Sequence, residues 1–213
     1  MLFRSARNIV IMATDDSTIK ANVPAISFVI SIGVGLSTSV TLSENTINNK
    51  VDAYIGNSNV TSTAGDISLN AETNGKVESF ATAISLNISI GGSGQGGKTT
   101  SEIIGHTQAY VKAGALLSAR EGDVSIDATS TSYTNAEAKG GGLGLLSITA
   151  LLAESTISAG TNAFINGPST INAGGLELNA HAFGKDGVSA RTALSKVVAG
   201  TVEIGRASCR ERV

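Results

Sequence analysis

The sharpest chemical pattern in the chain is Gly92-Ser93-Gly94-Gln95-Gly96-Gly97-Lys98-Thr99. Glycine, four residues and Gly-Lys-Thr is the spacing of a phosphate loop: backbone N–H groups cradle the phosphates, the lysine reaches the terminal ones and the hydroxyl binds magnesium. Such a loop must open a helix, whose N-terminal amides and dipole complete the site. The residues that follow, Thr100 to Thr107, lack a 3.6-residue period and are interrupted by Gly105. The corresponding stretches Gly33-Val34-Gly35 and Gly140 to Gly144 carry no Lys-Thr pair. The expectation is a lengthened glycine turn between rungs, with no nucleotide.

Other candidates are thinner. A calcium nonapeptide needs an Asp after its glycines, but Gly96 and Leu145 stand in that place. Asp66 and Asp123 follow turn glycines and are replaced by Asn8 and Gly175 in equivalent positions, which suits backbone bonding. Asp15, Asp16 and Asp52 fall elsewhere in the pattern, so an acid pair for general acid–base work would need neighbouring rungs to bring it together. His106 and His181 have no ligand-spaced partners. Asn59-Val60-Thr61 and Asn87-Ile88-Ser89 match the glycosylation triplet, as chance allows in a Ser/Thr-rich chain. Tyr54, Tyr110 and Phe164 recur at one position and read as a structural stack, the other reading being an exposed strip for glycans. No catalytic, cofactor-binding or metal-binding residue is assigned.

The elements that would position these side chains come from a repeat. Gly65-Asp66-Ile67-Ser68-Leu69-Asn70-Ala71 recurs as Gly122-Asp123-Val124-Ser125-Ile126-Asp127-Ala128 and Gly174-Gly175-Leu176-Glu177-Leu178-Asn179-Ala180. Arg7 to Ala13 is a looser copy, and it accounts for an N-terminal stretch that otherwise faintly suggests a signal peptide. A second motif is Ala53-Tyr54-Ile55, Ala109-Tyr110-Val111 and Ala163-Phe164-Ile165. A third pairs Ala25 to Gly33 with Ala83 to Gly91. Three motifs in one order and one spacing define a repeat protein.

Within each motif the period is two, the mark of strands with one buried face. Ile84, Leu86, Ile88 and Ile90 are expected on the core side, with Ala83, Ser85, Asn87 and Ser89 outward, where Ser, Thr and Asn form ladders. The fold expected is all-β: a right-handed parallel β-helix built from 52–58-residue repeats of about three rungs each, with Ala13, Ala71, Ala128 and Ala180 in one inward column. A β-sandwich is the alternative, disfavoured because it has no reason to keep a constant repeat length.

Composition agrees. Ser, Thr and Asn supply 62 of 213 residues and aromatics only 4%, which suits thin-walled β-structure more than an ordinary globular core. A net charge of −2 argues against nucleic acid and anionic membranes as partners. No apolar run approaches the ~20 residues of a membrane-spanning helix.

Glu203 to Val213 breaks with everything before it and holds the single cysteine, Cys209. A reading of Ile204 to Val213 as codons resembles a common short-read sequencing adapter. The repeat region is therefore taken as 1–202 and 203–213 as an artefactual tail, and Cys209 is not read as a functional thiol.

These units, with A-[YF]-[IV], a Gly-Asp or Gly-Gly turn, an alternating strand ending in Ala and a Gly-rich bridge, resemble the passenger repeats of leukotoxin-type filamentous adhesins, exported by the type V (autotransporter or two-partner) route. The resemblance covers roughly Arg7 to Val202. It implies a fragment of a β-helical shaft on, or released from, a bacterial cell, without catalysis, presenting or mediating adhesion to host or neighbouring cells through unidentified receptors or glycans. End-to-end self-association through open rung edges is a further expectation. The alternative is a β-helical polysaccharide lyase or hydrolase, which a groove of converging acids would favour.

Overall fold

The computed structural model describes residues 1–184, 192–203 and 206–212, with no helix among them. Thirteen strands are described. They are β1 (Leu2–Ser5), β2 (Ile9–Ile30), β3 (Leu36–Ile55), β4 (Asn59–Ser62), β5 (Ile67–Ile88), β6 (Gly92–Lys112) and β7 (Leu116–Ala119). There follow β8 (Val124–Gly144), β9 (Leu146–Asn166), β10 (Thr170–Asn172), β11 (Leu176–Phe183), β12 (Thr192–Glu203) and β13 (Arg206–Arg212). They form three parallel sheets stacked as a β-solenoid. A narrow sheet holds β1, β4, β7 and β10. One long sheet holds β2, β5 and β8, with β11 and β12 end to end along β8. The other long sheet holds β3, β6 and β9.

The register confirms the repeat and corrects its size. Ile9 lies beside Ile67, Ile67 beside Val124 and Val124 beside Leu176. Each repeat therefore makes one coil, where three rungs were expected. A strand of 22 residues runs about 70 Å, so one long strand out, one back and a short third side consume the whole unit. The three-rung estimate rested on strands of ordinary length, ~5–6 residues. The sandwich alternative survives only in the sense that the two long sheets pack face to face inside each coil.

At the broad end the three sheets enclose an apolar core. Ile67, Leu69 and Ile126 meet Ala53, Ile55 and Val111, with Val60 and Leu117 closing the third side. The expected alanine column is present: Ala13, Ala71, Ala128 and Ala180 lie in register, with Ala71 and Ala128 buried. A small second cluster of Ile47, Val77 and Ile103 follows along the arm.

Beyond it the polarity of the strands reverses. Ala83, Ser85 and Asn87 are buried, while Ile88 and Ile90 are 55% and 68% exposed, opposite to the sequence expectation. The reason is the narrow gap between the long sheets. Ser85 Oγ lies 2.6 Å from Ser37 Oγ across it, and the Asn45 amide donates to Ser79 Oγ at 2.8 Å. A Cβ on Gly97 would come within 2.9 Å of Leu151, and one on Gly142 within 2.0 Å of Gln95. Gly, Ala and Ser hold most of the inward positions here, so Ile84, Leu86 and Ile88 of the alternation point out. Some of the inward hydroxyls and amides bond one another, across the gap or between coils. Ser39 Oγ, Thr41 Oγ1, Gln95 Nε2 and Thr99 Oγ1 are buried without a hydrogen-bond partner among the described residues.

Outward ladders of the expected kind are real at the broad end, where Ser125 donates to Ser68 at 3.0 Å and Asn179 to Asp127 at 2.8 Å. The stretch Arg206–Arg212 departs from the pattern. It pairs antiparallel with β12, the one antiparallel ladder among the described residues. The side chain of Cys209 lies outside the described residues.

Candidate functional site

The phosphate-loop pattern is laid out flat. Gly92 to Lys112 is one strand, and the reversal of direction comes before it, at residues 89–91. The expected glycine turn is thus mostly strand. Gly140 to Gly144 are not its equivalents either: Gly140 lies beside Ala83, at the end of the outgoing strand, whereas Gly92 lies beside Leu36 and Leu146 at the start of the returning one. Alternation sends Lys98 outward and Thr99 inward to full burial. Lysine and hydroxyl therefore sit on opposite sides of the sheet and cannot converge on one phosphate. Lys98 instead pairs with Glu44 of the neighbouring coil at 2.9 Å. That hydrogen bond, with the Glu44 charge, holds the Lys98 ammonium above its ordinary pKa.

Other charged side chains are used locally. Lys50 and Asp52, Lys76 and Glu78, and Glu137 and Lys139 pair two residues apart on outer strand faces, at 3.1, 3.2 and 2.9 Å. Asp52 raises the Lys50 pKa, through its hydrogen bond first and its charge second. His106 lies 3.7 Å from Asp52, and the His181 ring stacks on Phe183. Asp15 points inward and accepts from Ser17 and Asn49, while Asp52 is on the outside of the other long sheet, so the two do not meet. No group of three or more His, Cys, Asp or Glu placed to hold a metal occurs among the described residues. Asn87 of the glycosylation triplet is buried, and its amide donates to the Gly35 and Gly92 carbonyls at 2.5 and 2.8 Å. It is a structural bracket across the turn. Asn59 is exposed at the start of β4.

The aromatic column is present as drawn from the repeat. Tyr54 and Tyr110 stack at 5.3 Å between centroids, Tyr110 and Phe164 at 4.9 Å. Lys112 flanks it, with Nζ 3.9 Å from the Tyr54 centroid and 5.7 Å from that of Tyr110. Ring faces are turned toward each other along the stack, so the middle ring has no open face for a sugar.

What sequence reasoning missed is the outer surface of the arm. Ile26, Phe28, Ile30, Leu36, Val40 and Leu42 are 56–76% exposed, and Leu146, Ile148 and Leu152 are 53–63% exposed. The signal was available: residues 25–43, 83–97 and 140–153 contain no charged residue at all. Both outer faces of this part of the molecule are thus apolar around a polar interior, the kind of exposed patch at which a partner can dock.

Comparison with protein-family models, curated proteins and solved structures gave no match for this chain.

Proposed function

We propose that this chain is a structural, presenting segment of a large secreted or surface-displayed bacterial filamentous adhesin, acting by display and not by catalysis. The observation that carries the reading is the coil register. Each repeat adds one coil, and outward residues recur at the same position along the strand in successive coils, as Tyr54, Tyr110 and Phe164 do. A weak contact made by one coil is then repeated along the stack, and linked weak contacts gain avidity. The paired use of charges on the outer faces also suits a stable wall. Because one coil uses a whole repeat, presentation of a broad periodic surface fits better than reach.

The test is adhesion of beads coated with the chain to cultured epithelial cells and to bacterial cells. Retention above that of uncoated beads is expected. Retention equal to uncoated beads overturns the presenting role, and release of reducing ends from a panel of polysaccharides replaces it with the carbohydrate-active alternative.

A further inference from the structure

Gly92, Gly94 and Gly96 hold the outward positions at the start of β6, and nothing within the chain requires glycine there. None has a positive φ. A Cβ on Gly94 would meet only a Thr38 methyl at 3.6 Å, one on Gly96 only Val40 methyls at 3.6 and 3.8 Å, and one on Gly92 nothing nearer than the Leu146 carbonyl at 3.4 Å. These are ordinary contacts, unlike those of the inward Gly97. Glycine inside a strand weakens it relative to alanine, because it has more backbone freedom to lose and no side chain to pack. Where the fold does not demand it, it marks close approach by something else.

The three glycines floor a furrow. Leu36 and Val40 of β3 wall one side and Leu146 and Ile148 of β9 the other, all between 58% and 76% exposed, while Leu42 and Leu152 flank Lys98. Register places Leu36, Gly92 and Leu146 in one line across the sheet, and Val40, Gly96 and Ala150 in another. The walls are two strand spacings apart, roughly 9.6 Å, which admits one row of side chains. Lys98, paired to Glu44, ends the furrow, and between them and the turn this face carries no charge.

We propose that the furrow is the interface with a second copy of this chain. A two-fold axis parallel to the strands reverses the order of coils and preserves strand direction. It therefore lets Leu146 and Ile148 of the β9 row of each copy enter the glycine furrow of the other, over Gly92 and Gly94. The surface is complementary to itself, as an isologous contact demands. Leu36, Val40, Leu146 and Ile148 at roughly 100 Å² apiece, with the smaller Thr38, Ala150 and the glycines, give on the order of 1,000 Å² over both copies, the size a specific interface has to clear. At its far end Leu152 of each copy comes over Lys98 of the other, whose aliphatic stem can take the contact while the ammonium stays with Glu44 at the rim.

Sedimentation equilibrium of the full chain tests this, with a dimer expected. Gly94→Val and Gly96→Val fill the furrow where a Cβ has room, in a strand that favours branched residues. Each is expected to weaken dimerisation at least tenfold without lowering the melting temperature measured at concentrations where the unaltered chain is monomeric. Ile148→Lys, altering a side chain that faces solvent in the single chain, attacks the same contact from the other side and keeps the test decisive should valine strain the strand. A monomer at every concentration overturns the proposal. So does association untouched by these variants, which would assign it to strand edges at the ends of the stack. A monomer that sediments with phosphatidylcholine vesicles would assign the face to lipid instead.

Discussion

Asp123 donates its backbone N–H to the Asp66 carboxylate of the coil beneath at 2.9 Å, and Asp66 donates its own to the Asn8 side-chain oxygen at 3.0 Å. Each turn side chain thus holds the turn of the next coil. The glycine before it is needed because that side chain passes so close: a Cβ on Gly122 would lie 2.5 Å from Asp66 Oδ1 and 2.6 Å from the Gly65 carbonyl. Gly65 and Gly122 have no positive φ, so crowding between coils, and not backbone freedom, selects glycine here.

Gly122→Ala is therefore expected to cost about 1–3 kcal/mol, as overpacking does. Asp66→Ala should cost ~1 kcal/mol for the lost bond. Asp66→Asn should change stability by less than about 0.5 kcal/mol, since asparagine already serves at position 8. Urea unfolding of the three variants checks the order.

The reversed polarity of the arm makes a sharper test. Ser79 Oγ accepts from Asn45 and Ser101 and donates to the Thr100 carbonyl. Ser79→Ala strands those buried partners and should cost about 1–3 kcal/mol. Ile88→Ser, on the outer face, should change stability by less than about 0.5 kcal/mol. If the isoleucine variant proves the more damaging in thermal unfolding, the inward and outward faces have been exchanged.

At the broad end the ordinary rule holds. Ala71→Asp and Ala128→Asp place an unpaired carboxylate in an apolar column and should abolish folding. Far-ultraviolet circular dichroism of both variants reads the result, and a native β spectrum in either would refute the column.

The Lys98–Glu44 pair predicts a pH effect whose sign follows from the raised lysine pKa. Its contribution is complete below the ordinary lysine value and lost as pH climbs through the raised one. Both side chains are solvent-exposed, so the effect on stability is small. Glu44→Gln should return Lys98 to the ordinary lysine range in a side-chain NMR titration, and an unchanged midpoint would show that the pair does not form in solution.

Register was legible in the residues because it is a matter of matching. Ala71 with Ala128 and Tyr54 with Tyr110 could be aligned by identity alone, and the structure places them side by side. The size of a coil was not, because Gly91 and Gly92 resemble rung boundaries whether a turn closes a coil or only reverses a long strand. Which face is buried was also hidden. Alternation of Ile84, Leu86 and Ile88 with Ser85 and Asn87 states that two faces differ, and only the opposing sheet, with Ser37 against Ser85, decides that the small residues go in.

One coil per repeat has a consequence for how such a molecule grows. About 57 residues raise the stack by one strand spacing, ~4.8 Å, or roughly a dozen residues per ångström of height. An α-helix gains 1.5 Å with every residue. Chain added to this architecture goes into breadth: it lays courses of masonry some 70 Å long, and what rises from it is a wall, not a mast.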